Sequence, residues 1–130
     1  QVYAVERNED AQALILENRR KFGLHNLTLI SGAAPEALAG LPAPDRVFVG
    51  GTGGHMAETL AVVHAANPAA RVVISAIAIE SLSAALAALQ AQGFEAIQVS
   101  QISVSRSRPA GGLHLMVAQN PVYLISGGAL

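Results

Sequence analysis

The sequence contains no cysteine and no tryptophan, and aromatic residues make up only 4% of it. Without cysteine there is no disulfide framework, no thiolate metal site and no cysteine nucleophile, and the composition fits a reducing, cytoplasmic setting. Charge is sparse too. Ionisable Asp, Glu, Lys and Arg account for 13% of residues, with a formal net charge of −1. No long run of either sign occurs, which removes electrostatic support for a nucleic-acid or membrane-surface role. No apolar run is long enough to span a bilayer, and no secretory signal is visible. His25, His55, His64 and His114 lack zinc-helix spacing and an accompanying acid cluster, so no metal is expected.

What is present is apolar. Residues of that class form 52% of 130, enough for one domain with a sizeable core. The chain opens on Gln1 and enters an apolar strand at once, Val2 to Val5, which suggests a sequence cut from something longer. Asn8 reads as the N-cap of a helix, with Glu9 and Asp10 complementing its dipole. Ala11, Leu14, Ile15 and Phe22 form its apolar stripe, and Gly23 its stop. Leu27 to Ile30 is a second strand, and Pro35 opens a short helix. Leu41 to Pro44 is a loop, and Arg46 to Val49 a third strand. Met56 to Ala66 is a helix expected to be buried around most of its surface, ended by Asn67-Pro68. Arg71 to Ile77 is a strand, and Ser81 to Gln92 a helix closed by Gly93.

To this point strands and helices alternate, which argues for a parallel sheet covered by helices. Phe94 to Ser105 and Leu113 to Ile125 then read as two strands joined by Arg106 to Gly112. Seven residues cannot hold a crossover helix, so this last pair is expected to be antiparallel.

Ligands of open α/β sheets sit beyond the carboxyl ends of the strands, and three ends stand out. The first ends at Glu6, which reads either as an acceptor for ribose hydroxyls or as a solvated acid near a helix start. The second ends at Ser31-Gly32-Ala33-Ala34, where small residues let a flat ring approach the backbone, or where the chain merely turns. The third is Gly50-Gly51-Thr52-Gly53-Gly54, where missing Cβ atoms permit positive φ and close approach of a ligand. It is not a phosphate loop, because the Lys-Ser/Thr ending is absent, and its spacing does not match the dinucleotide fingerprint. His55 stands next to it. Arg106 and Arg108 read as a solvated loop or as a carboxylate clamp.

The segments AVERNEDA, ENRRKFGLHNLTLISGAAPEAL, DRVFVGGTGG and QNPVYLI, in this order, resemble the precorrin-6B C15-methyltransferase (decarboxylating) family of cobalamin biosynthesis. That family is equivalent to the C-terminal domain of precorrin-6Y C5,15-methyltransferase. The resemblance runs from Tyr3 to about Ile125. It implies a class I, Rossmann-like methyltransferase fold of the α/β class, a seven-stranded sheet whose last strand is antiparallel. It further implies S-adenosylmethionine as cofactor, a tetrapyrrole substrate methylated at C15 and decarboxylated at its C12 acetate, and a homotetramer. The same resemblance implies a C5-methyltransferase domain as a fused or separate partner.

Residue by residue, the resemblance puts Glu6 on the cofactor's ribose, Gly32, Ala33 and Ala34 beside its adenine, and Gly50, Gly51 and Thr52 beside the methyl donor. The substrate then lies over Gly53, Gly54 and His55, with Arg106 and Arg108 as carboxylate partners and His55 as a candidate proton donor. Two departures stand out. Ala33 replaces an acid that can accept from the adenine amino group. The family's first strand and glycine-rich cofactor loop precede Tyr3 and are missing from these 130 residues, so the expectation is a single, N-terminally incomplete methyltransferase domain. Two other readings remain on sequence grounds: a nicotinamide-dependent oxidoreductase, since both classes place an acid after a strand, and a non-catalytic binding module.

Overall fold

The computed structural model describes residues 1–128. The chain forms two compact units, Gln1–Pro42 and the part from Ala43 onward. Their boundary falls within the proline-bearing loop that the sequence marks.

In the first unit, β1 (Val2–Glu6) pairs in parallel with β2 (Leu27–Ser31), joined by α1 (Glu9–Lys21). The helix starts where the sequence places it, because Asn8 Oδ1 accepts from the Ala11 N–H at 2.9 Å. It stops at Gly23, whose φ of 62° lets the Leu24 N–H reach the Arg19 carbonyl at 2.9 Å. The expected apolar stripe is only half covered. Ala11 and Ile15 are partly buried, whereas Leu14 and Phe22 are 59% and 65% exposed. A 3-10 turn, Glu36–Leu38, follows Pro35 as anticipated.

In the second unit, β3 (Arg46–Val49), α2 (Met56–Ala66), β4 (Arg71–Ala76) and α3 (Ile79–Ala91) continue the alternation. β3 and β4 are parallel. β5 (Gln98–Ile102) and β8 (Val122–Gly127) complete a four-stranded sheet of order β3-β4-β8-β5, in which β8 is antiparallel to both of its neighbours. The core of this unit joins Leu60 and Val63 of α2, Ala85 and Leu89 of α3, Val72 and Ile74 of β4, and Ile125 of β8. Full burial of each large aliphatic side chain contributes about 1.5–3 kcal/mol. α2 is buried along one face only, at Thr59, Leu60 and Val63, and not around most of its surface as its composition suggested. The rest of the helix carries Ala57, Ala65 and Ala66, whose small side chains need little cover, together with Glu58 and Val62, which is 40% exposed.

The C-terminal part departs from the sequence reading in detail. Two long strands were expected with a loop at Arg106 to Gly112; instead there are four strands. β6 (Ser105–Ala110) and β7 (Leu113–Ala118) form an antiparallel hairpin closed by Gly111-Gly112. Both turn glycines have positive φ, 53° and 80°. At the hairpin's open end the Gln119 N–H donates to the Val104 carbonyl at 2.8 Å. The antiparallel arrangement itself agrees with the argument from connection length.

Candidate functional site

In the first unit the relevant groups gather at the carboxyl ends of β1 and β2. The Asn8 N–H donates to Glu6 Oε1 at 2.8 Å. This fixes the orientation of a partly buried carboxylate at the start of α1. Gln12, which the sequence reading did not single out, ties the two strand ends together. Its Nε2 donates to the Glu6 carbonyl at 2.8 Å and to Ser31 Oγ at 3.0 Å. Its position one turn into the helix, facing back to the strands, is the signal that could have found it. The Gly32 N–H also donates to the Glu6 carbonyl, at 3.0 Å. Gly32 has φ of 146°, and a Cβ there would stand 3.0 Å from the Cβ of Ala37, so glycine is required on two counts. Beyond it the Ala33 carbonyl accepts from the Ala37 N–H at 2.9 Å, while Ala33 itself is exposed and Ala34 partly buried.

In the second unit a cleft of about 720 Å³ opens at the carboxyl ends of β3 and β4. All five residues from Gly50 to Gly54 line it. The glycines divide by cause. Gly53 and Gly54 have φ of 60° and 101°, so the turn itself demands them. Gly51 has no such conformational need, and no protein atom lies within 4 Å of where its Cβ would be. Its missing side chain leaves room in the cleft, a cradle that any larger residue would occupy.

Met56, Ser75, Ala76, Ile77, Ala78, Glu80, Ser81, Ala84 and Val122 complete the lining. Most of these come from the end of β4 and the start of α3, a fourth strand end that the sequence reading passed over. The strand-end rule would have found them had it been applied to β4 as well. His55 is placed elsewhere. It is the N-cap residue of α2, exposed, with no side-chain capping bond, and it is not part of the cleft lining. Arg106 and Arg108 lie on the exposed strand β6, opposite Val117 and Leu115, and also outside the lining. Their two-residue spacing puts them on one face of the hairpin.

The order β3-β4-β8-β5, with β8 reversed between parallel-type neighbours, is the arrangement of a Rossmann-like methyltransferase sheet, and solved S-adenosylmethionine-dependent methyltransferases share this fold. The chain is 32% identical to the crystal structure of precorrin-6Y C5,15-methyltransferase from Geobacter metallireducens, with a TM-score of 0.90 over 100% of this chain and 67% of that one. It is 35% identical to precorrin 8W decarboxylase of Methanobacterium thermoautotrophicum, TM-score 0.90, covering 99% of this chain and 70% of that one. Among curated relatives, the cobalt-precorrin-6B C(15)-methyltransferase (decarboxylating) of Salmonella typhimurium is 37% identical over 128 residues, 97% of this chain and 65% of that protein. The chain thus spans about two thirds of the length of its relatives. Residues 1–127 match the precorrin methyltransferase domain, and the chain belongs to that family.

Proposed function

We propose that the protein to which this chain belongs transfers a methyl group from S-adenosylmethionine to C15 of a precorrin and removes the carboxyl group of its C12 acetate side chain. The observation that carries this reading is the glycine-lined cleft at the strand ends of a precorrin methyltransferase domain. Its apolar walls suit a flat macrocycle, and the open space beside Gly51 suits a reacting methyl group.

The residues present fit the cofactor. Glu6, with one oxygen already held by Asn8, presents a fixed carboxylate suited to ribose hydroxyls. Gly32, Ala33 and Ala34 offer small side chains and backbone groups to an adenine edge. Gly50, Gly51 and Thr52 border the donor and Gly53 and Gly54 the acceptor, whereas the His55 side chain stands outside the cleft lining. When bound, S-adenosylmethionine supplies an electrophilic methyl group; the chain's own part is to orient and to exclude water. Arg106 and Arg108, outside the cleft, are assigned to peripheral carboxylates of the substrate.

The protein works in the cytoplasm as a homo-oligomer, a tetramer in the family pattern, beside or fused to a C5-methylating domain. The hairpin supports assembly. Leu113 and Met116 are 67% and 68% exposed, and apolar surface of this kind on a two-stranded ribbon calls for a partner. The antiparallel β8 argues against the nicotinamide-dependent alternative.

Incubation of the full-length protein with a precorrin-6B and S-adenosylmethionine tests the assignment by product mass. The expected product has gained one methyl and lost one CO2. An unchanged substrate mass with both cobalt-free and cobalt-containing precorrin would overturn it.

A further inference from the structure

We infer that Glu80, and not His55, is the proton-relaying side chain of the coupled reaction. The inference rests on the methyltransferase-decarboxylase reading above and names a residue role within it. Among the described residues lining the cleft, Glu80 is the single ionisable one; the other polar side chains there are the hydroxyls of Thr52, Ser75 and Ser81. Glu80 is the second residue of α3, after the N-cap Ala78, which makes no side-chain capping bond. A capping box takes its acid from the third helical position, here Ser81, so the Glu80 carboxylate is not held in one. Its side chain is exposed, so it complements the helix dipole and also stands on the wall of a cleft whose other described lining residues carry no charge.

The chemistry needs one such group. A π-electron pair of the ring forms the new C–C bond to the methyl, while the C–S pair departs with the donor as a neutral thioether. The ring then carries one positive charge. Loss of CO2 breaks the bond between the acetate CH2 and its carboxylate, and that pair forms an exocyclic C=CH2 and cancels the charge. Conversion of this group to a methyl requires one proton at the CH2 carbon and the departure of one proton from elsewhere on the ring. The proton count closes at zero. A single carboxylate that accepts the departing proton and returns it to the CH2 carbon completes the sequence with no further co-reactant.

The test uses the full-length protein and its Glu80→Gln, Glu80→Asp and His55→Asn variants, each with a precorrin-6B and S-adenosylmethionine. Turnover is followed together with product mass and thermal unfolding. Glu80→Gln is expected to lower kcat by about 10²–10⁴-fold, the range for a general acid–base group, with KM and the unfolding midpoint near those of the parent. Its product pool should be enriched in the methylated species that has lost CO2 but has the spectrum of the untautomerised ring. Glu80→Asp should recover part of the rate, and His55→Asn should match the parent. Glu80→Gln turnover within about threefold of the parent, or loss of turnover in His55→Asn instead, would overturn the inference. Failure of the parent itself to methylate the precorrin would overturn the underlying reading, which separates the two cases.

Discussion

The Asn8 N–H donates to Glu6 Oε1 at 2.8 Å, so the residue that caps α1 also aims the carboxylate ending β1. One short segment thereby links helix initiation to the carboxylate proposed for the cofactor's ribose. Glu6→Ala in the full-length protein removes that acceptor and is expected to weaken S-adenosylmethionine binding by about 10–100-fold, since a hydrogen bond to a charged group is worth about 1.5–3 kcal/mol. Isothermal titration calorimetry gives the answer directly. Equal affinities for parent and variant would remove Glu6 from the cofactor site.

Gly51 and Gly54 make a matched pair. An alanine at position 51 meets no protein atom, so Gly51→Ala should leave the unfolding midpoint unchanged while its methyl group intrudes on the cleft and depresses turnover. At position 54, where φ is 101°, the same substitution is strained by the backbone and should cost about 1 kcal/mol or more of stability. Thermal melts and initial rates measured side by side would show the contrast. A destabilised Gly51→Ala with normal turnover would contradict the assignment of its open space to a ligand.

Much of this was legible in the sequence where local rules dominate. Asn8 at the cap, Gly23 at the stop and the limits of the helix from Met56 to Ala66 follow from side-chain chemistry within a few residues. The hairpin was not legible in detail, because SRSRPA carries no β-forming side chain and becomes a strand only by pairing with Leu113–Ala118. Pro109 fits there because the hairpin is a two-stranded ribbon in which both strands are edges. The solvent exposure of Leu14 and Phe22 was equally hidden, since periodicity shows that a helix has an apolar face but not what covers it. Glu80 was missed for a different reason: an acid in a first helical turn has so common an explanation that the strand end before it, at β4, was not weighed as a site.

Gly128 is held at φ of 107°, and its N–H donates to the Glu95 carbonyl at 2.8 Å. A Cβ added there would collide with the Ala70 carbonyl oxygen and crowd the Arg71 Cα, all of it backbone that cannot swing aside. Gly128→Ala is therefore expected to lose about 1–3 kcal/mol, combining strain at an unfavourable φ with displacement of the β4 entry. Chemical denaturation read by circular dichroism measures it. An unaltered midpoint would mean that Gly128 can shift away from Ala70 without loss of stability.

The hairpin offers the last test, because its apolar side chains stand exposed on the single chain. Leu113 and Leu115 project to one face of β7 with two-residue spacing, and are 67% and 52% exposed. Substituting both with serine removes apolar surface without opening a cavity, so the fold should change by no more than about 0.5 kcal/mol per site. If the hairpin is the surface on which copies meet, the double variant should sediment as a smaller species than the parent at equal concentration, with its far-UV spectrum unchanged. Identical sedimentation of the two proteins would take this face of the hairpin out of the assembly. A parent that is itself monomeric at micromolar concentration would remove the homo-oligomer from the proposed function.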